Sequence, residues 1–228
     1  VVDVWKADDW FHWGAFRAVY AFDFIYGMES RHGESVDFPY SRRDLYAWAL
    51  EKGALGRALG AYLDDRHEMW SRLMENPAYT GYWRDCAVDQ WFENPGRLVP
   101  TLHVQGYWDQ EDIYGSAAVY SAMEKHDPDN DLNFFAAGPW YHGQHFAEGS
   151  RLGPIAFDED TAKRFREDVL EPFLARYLKG EEGREISPGT VFETGVNRWR
   201  RYDRWPPARK VRNLYLRDDG KLSFQAPG

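Results

Sequence analysis

The stretch VPTLHVQGYWD, residues 99–109, constrains the fold more than any other part of the chain. A short apolar run that opens after Pro100 and closes at Gly106 reads as a buried parallel strand. Residues Asp112 to Lys125, carrying Ala117, Ala118, Tyr120, Ala122 and Met123, read as the helix that follows. A polar loop, HDPDND, leads into LNFFAAGPW, a second short buried strand ending at Gly138-Pro139. Two buried strands joined through a helix pair in parallel, which places the chain in the α/β class. Further on, Phe165, Val169, Phe173 and Tyr177 share one face of a helix expected over Asp160 to Lys179, with Gly180 as its C-cap.

The texture differs on either side. Between Ser41 and Pro77, Leu45, Trp48, Leu55, Leu59, Leu63, Trp70 and Leu73 recur at roughly helical spacings, and Ser41 and Asp44 are spaced as a capping box. Gly53, Gly56 and Gly60 mark breaks or close packing there. A second helical patch over Tyr79 to Phe92 stops at Asn94-Pro95-Gly96, a strong turn signal. Downstream of Gly180 come GTVFETGVNRW, the turn-like Trp205-Pro206-Pro207, and RNLYLRDDGKLSF, which reads as a hairpin around Asp219-Gly220. The expected organisation is a helical region over 1–95, an α/β part over 96–182 and the start of an all-β domain over 183–228. The opening VVDVWKADDW has no initiator Met, basic segment or apolar signal core, and reads as the interior of a longer protein.

Composition narrows the partners. With 28 basic and 37 acidic side chains the net charge is −9, which repels polyphosphate and anionic membranes. No nucleic-acid partner is expected. No membrane partner is expected either, because no apolar run approaches the ~20 residues that span a bilayer as a helix. The single cysteine, Cys86, excludes an internal disulfide framework and a thiolate zinc cage, and is expected as a small core residue. The 11 Trp, 14 Tyr and 14 Phe supply large contact areas with polar tips, most of them for the core.

In open parallel sheets, function gathers at the carboxyl ends of the strands. The residues just after the two strands are Asp109 and His142. An acid after one strand and a histidine after the next is the chain order Ser…Asp…His of α/β-hydrolases. The chemistry needs this pair because a carboxylate must hold the imidazole tautomer and stabilise the imidazolium formed when serine gives up its proton. Nucleophiles within the chain fail the elbow pattern Gly-x-Ser-x-Gly. Ser35 has Gly33 two residues before it but Asp37 two after, and Ser116 and Ser150 follow glycine directly. His145 is the rival base, and His142 is preferred because it sits nearer the strand end. His103 lies inside the strand and is expected in the core or against the sheet. His32, His67 and His126 are expected at the surface. No spacing of His or acids suggests a metal site, and no cofactor is expected.

The string GYWDQEDIYGSAAVYSAMEKHDPDNDLNFFAAGPWYHGQ, with WKADDWFHWGAF before it and VFETGVNRWRRYDRWPP after, resembles the α-amino acid ester hydrolases. These are relatives of cocaine esterase and the X-prolyl dipeptidyl peptidases. The resemblance covers essentially the whole chain, and Asp-Gln-Glu-Asp at 109–112 is its most specific element. It implies an α/β-hydrolase domain, a helical cap inserted before the acid-bearing strand, and a C-terminal jelly roll. It also implies that Asp109 is the triad acid and His142 the base, with the serine and the oxyanion-hole residues upstream of Val1. Glu111 and Asp112 match members of the family's carboxylate cluster, which receives the substrate's α-ammonium group. Asp8, Asp9, Trp10 and His12 lie in the upstream motif, where local packing and capping explain them nearly as well; for His12 a structural role is favoured. The family further implies export to the periplasm or medium and assembly into a homo-oligomer.

Physical chemistry bears on the acids independently of the resemblance. Three carboxylates within four residues repel one another by ~1 kcal/mol per close pair in water, and by more when desolvated. Placing Glu111 and Asp112 in the first turn of the expected helix offsets part of that, because its unsatisfied N–H groups favour negative charge. Helix starts are routinely acidic for this reason alone. A cationic substrate amine would supply the remaining compensation.

The leading expectation is therefore a serine hydrolase and acyltransferase that cleaves esters or β-lactam amides of α-amino acids through an acyl-enzyme. Its partner is a small α-amino acyl ester or amide. A broader acylase, esterase or X-prolyl peptidase of the same superfamily is the second expectation. A carbohydrate- or partner-binding protein with a degenerate hydrolase site is the third.

Overall fold

The computed structural model describes every residue except 1, 7–9, 32, 65, 208–210, 219 and 227–228, and leaves aside the side chains of Leu55 and Arg57. The helical region opens with a small hairpin, β1 (Phe11–His12) and β2 (Ala15–Phe16), that the apolar pattern did not signal. Helices α1 (Ala18–Glu29), α2 (Leu45–Lys52), α3 (Leu55–Gly60), α4 (Glu68–Glu75) and α5 (Gly81–Cys86) follow, then a 3-10 turn over Val88–Glu93. Phe22, Ile25, Trp48, Leu59, Trp70, Leu73 and Trp83 form their common core. Trp48, Leu59, Trp70 and Leu73 were expected inward, whereas Leu45 is exposed. The expected capping box is replaced by a single cap: the Asp44 carboxylate accepts from the Ala47 N–H at 3.0 Å, and α2 begins after it.

Two further expectations fail here. Cys86, at the end of α5, is exposed rather than a core residue. His67 is buried, because its ring stacks on Tyr26 and both of its nitrogens find partners in Asp64 and Ser30. A histidine whose polar atoms are satisfied can be buried, and its sequence neighbours do not show that. His126 is exposed, and His32 lies outside the described residues.

Strands β3 (Thr101–Gly106) and β4 (Asn133–Gly138) are parallel, residue for residue from Thr101 opposite Asn133 to Gly106 opposite Gly138. They are joined through α6 (Gly115–Glu124). After β4 come a short hairpin, β5 (Arg151–Leu152) with β6 (Ile155–Ala156), and a long helix. That helix runs as α7 (Thr161–Phe165), a π-helical stretch over Arg166–Leu170, and α8 (Glu171–Lys179), with Gly180 left-handed at its end. The π stretch has a local cause. Pro172 has no N–H to give the Asp168 carbonyl, so the ladder shifts register before it.

The sheet does not end with β4. Strand β7 (Gly189–Glu193) adds in parallel beside β4, and β8 (Arg198–Tyr202) turns back antiparallel beside β7, giving the order β3-β4-β7-β8. Strand β7, which lies beyond the expected division at 182/183, thus shares one sheet with β3 and β4. Strands β9 (Tyr215–Leu216) and β10 (Leu222–Ser223) pair by themselves at the expected hairpin, whose Asp219 lies outside the described residues. The architecture is α/β with a mixed, mainly parallel sheet, and among the described residues no helix is long and apolar enough to cross a membrane.

Candidate active site

The chain stays paired beyond the sheet at the carboxyl ends of β3 and β4. The Tyr107 N–H donates to the Gly138 carbonyl at 2.9 Å and the Trp108 N–H to the Trp140 carbonyl at 3.0 Å. These bonds bring the loop that carries Asp109 against the loop that carries His142. The approach is close: a Cβ on Gly106 would meet the Trp140 carbonyl oxygen at 2.6 Å, so only glycine fits there. Trp140 is fully buried, and its indole N–H donates to Thr161 Oγ1 at 2.9 Å at the start of α7. Buried Gln144 ties the far side of the His142 loop through the Tyr141 N–H and the carbonyls of Glu148 and Arg151.

On this frame His142 Nδ1 lies 3.0 Å from Asp109 Oδ2 and 3.2 Å from Oδ1. The carboxylate accepts only, so Nδ1 carries the proton and Nε2 is left without one. Asp109 Oδ1 also accepts from the N–H groups of Glu111 at 2.9 Å and Asp112 at 3.2 Å. The Asp109 side chain is 15% exposed and that of His142 58%. Glu111 stands beside the imidazole, with Oε2 3.6 Å from Nε2. The expected pair is thus together, with one of the two flanking acids next to the imidazole Nε2.

Asp112 is placed differently. The helix begins at Gly115, not Asp112, and the Asp112 carboxylate accepts from the Gly115 N–H at 2.9 Å. Glu111 and Asp112 therefore sit in a loop ahead of the helix rather than in its first turn. Backbone N–H groups offset part of the repulsion among the three acids: two on Asp109 and one on Asp112. An Asp followed by a short loop can cap from three residues ahead as readily as occupy the first turn, and sequence spacing does not separate the two.

His145 is packed against Trp140, Phe146 and Phe165, and burial lowers its pKa. The imidazole that meets the Asp109 carboxylate is that of His142, not His145. His103 is buried within β3 as expected, and burial pushes its pKa down to about 4. His12 is exposed and lines an open cleft of about 410 Å³ together with Arg17, Tyr107, Trp108, Asp109 and Ile113. The cleft places His12 nearer the candidate site than a purely local packing role suggests. Arg17 also donates to the Gln110 carbonyl at 3.3 Å, which joins the helical region to the acid-bearing loop. Trp10 is half-buried, and Asp8 and Asp9 lie outside the described residues. Among the described residues no group of three or more His, Cys, Asp or Glu side chains is placed to hold a metal ion.

Gln105 was not singled out from the sequence. It is buried at the end of β3, and its amide donates to the carbonyls of Gly106 at 2.9 Å and Asp112 at 3.2 Å. A polar residue at the carboxyl end of a buried strand, next to the loop that carries Asp109, was the available signal.

The sequence profile described as X-Pro dipeptidyl-peptidase (S15 family) matches residues 1–144. No curated protein matches the chain. Among solved structures, an aminopeptidase from the marine sediment archaeon Thaumarchaeota archaeon is 37% identical with a TM-score of 0.89, over 100% of this chain and 37% of that one. An α-amino acid ester hydrolase labelled with selenomethionine is 38% identical with a TM-score of 0.87, over 100% of this chain and 38% of that one. The chain thus spans under two-fifths of the length of each of these enzymes. The profile match over more than half of the chain and the two likenesses along all of it lead to one conclusion: the chain belongs to the X-Pro dipeptidyl-peptidase (S15) family of hydrolases.

Proposed function

We propose that this chain carries the acid and base of a serine hydrolase and acyltransferase acting on α-amino acid esters or amides, the nucleophile being supplied by residues outside these 228. The observation that carries the reading is the Asp109–His142 contact of 3.0 Å at the ends of adjacent parallel strands. In the proposed cycle His142 Nε2 takes the serine proton as the hydroxyl attacks the acyl carbon. It then returns the proton to the leaving oxygen or nitrogen. Asp109 orients the ring and stabilises the imidazolium. Water, or an amine such as a β-lactam nucleus, then takes the acyl group from the serine.

Glu111 gives the reading its substrate class. A carboxylate 3.6 Å from the base nitrogen is poorly tolerated by an anionic acyl group and complements an ammonium one or two bonds from the scissile carbonyl. The similar ester hydrolase is named for α-amino acid esters, which agrees with that chemistry. Asp112, beside Glu111 in the same loop, shares that role in the reading. Residues 1–95 are read as a cap over this site and the segment beyond Tyr202 as the opening of a jelly roll.

The test compares an α-amino ester with its des-amino analogue on the full-length protein. The expected result is a kcat/KM at least about tenfold higher for the amino ester, the size of one charge-assisted hydrogen bond. Equal values would remove the ammonium-binding role. The likeness to an aminopeptidase favours a second reading, in which the leaving group is a peptide amine. Profiling amino-acyl esters against amino-acyl peptides separates the two.

A further inference from the structure

Gln105 holds the acid-bearing loop from beneath, and its position explains which half of that loop it controls. The near half, Tyr107 to Asp109, is anchored to the β4 side by the Tyr107 and Trp108 N–H groups and by His142 itself. The far half, Glu111 and Asp112, meets that side through a side chain, Glu111 Oε2 lying 3.6 Å from His142 Nε2. Its holds include two N–H bonds to Asp109 Oδ1, the Gly115 N–H on the Asp112 carboxylate and the Gln105 amide on the Asp112 carbonyl. The same amide nitrogen holds the Gly106 carbonyl, so one buried side chain reaches from the end of β3 to Asp112.

The amide orientation follows from chemistry. Two carbonyl oxygens face the same end of the side chain, and only the NH₂ end can meet both. The Oε1 end is buried with no hydrogen-bond partner among the described residues, so Gln105 leaves one acceptor unsatisfied to make these two donations. At this buried position a side chain that only packed would be supplied at lower cost by an aliphatic residue.

We propose that Gln105 is a positioning residue for substrate selectivity: it fixes Glu111 and Asp112 relative to His142, and so sets the preference for a substrate ammonium rather than the rate of acyl transfer. This rests on the functional reading above.

The experiment uses the full-length protein with the α-amino ester and its des-amino analogue, comparing wild type with Gln105→Met, which keeps length and burial but donates nothing. The expected result is a rise of about tenfold in KM for the amino ester, with kcat for both esters and KM for the des-amino ester within about twofold of wild type. If wild type prefers the amino ester and Gln105→Met keeps the same ratio, the positioning role is overturned while the functional reading stands. An equal fall for both esters also overturns it, because Gln105 would then support the whole loop without selecting. If wild type shows no preference, the functional reading fails first and the proposal falls with it. Should Gln105→Met not fold, Gln105→Asn, which keeps the donors at shorter reach, carries the same ratio test.

Discussion

His103 and Gln105 project from one face of β3, as alternate residues of a strand must, and both are buried there with an unpartnered polar atom among the described residues. Their consequences differ. Gln105 is neutral at every pH, whereas His103 is an imidazole held uncharged by burial, with its pKa pushed down to about 4. In the unfolded chain an imidazole takes up its proton near pH 6.5. The unfolded state thus binds more protons than the folded state between about 6.5 and 4, and stability falls as pH is lowered through that window. His103 should withdraw about 2 kcal/mol between pH 7 and pH 5. Replacing it with Gln, which has no such proton to gain, should shrink the drop in thermal midpoint between those two pH values. An identical drop in wild type and His103→Gln would mean that this ring is already protonated or hydrated in the fold.

The two strand ends work as one element, because the loops after β3 and β4 are cross-bonded before either carries a side chain of interest. Gly106 is the closest point of that contact. A methyl group there meets the Trp140 carbonyl oxygen at 2.6 Å and the Asp109 Cβ at 3.4 Å, so Gly106→Ala must push the two loops apart. The expected cost is about 1–3 kcal/mol of stability. An ångström of displacement between Asp109 and His142 is expected to lower kcat about a hundredfold. Gly96→Ala is the control, because a Cβ there meets nothing within 4 Å. Steady-state kinetics of both variants in the full-length protein would check this, and near-normal kcat for Gly106→Ala would show that the loops adjust independently. Much at this scale was legible in the sequence. The buried strands, the crossover helix, the long helix ending at Gly180 and the pair at the strand ends all follow from apolar runs, periodicity and glycine. Helix starts were less legible, because Asp44 and Asp112 cap through side-chain geometry that spacing leaves open. The partners of β7 and β8 could not be read at all, since a strand's own residues do not say which sheet edge it joins.

That last point reaches the whole molecule. The sheet that carries the candidate site extends to Tyr202, and its support extends further. Trp205 stacks on Phe135 of β4 at 5.9 Å between ring centroids, and its carbonyl accepts from the Tyr120 hydroxyl of α6 at 2.7 Å. Ile186 packs with Phe134 of β4 and Phe173 of α8. The unit that holds Asp109 and His142 in place thus closes near residue 205, and a chain ended at 182 would expose one edge of β4 together with the rings of Phe134 and Phe135. An unpaired parallel strand with apolar faces is an aggregation site. The full-length protein terminated after Pro207 should therefore remain soluble and keep a cooperative thermal transition. Termination after Glu182 should abolish both. Comparable soluble yield and midpoint for the two forms would place the domain boundary at 182/183 after all, and would make β7 and β8 an appendage of the sheet rather than part of its core.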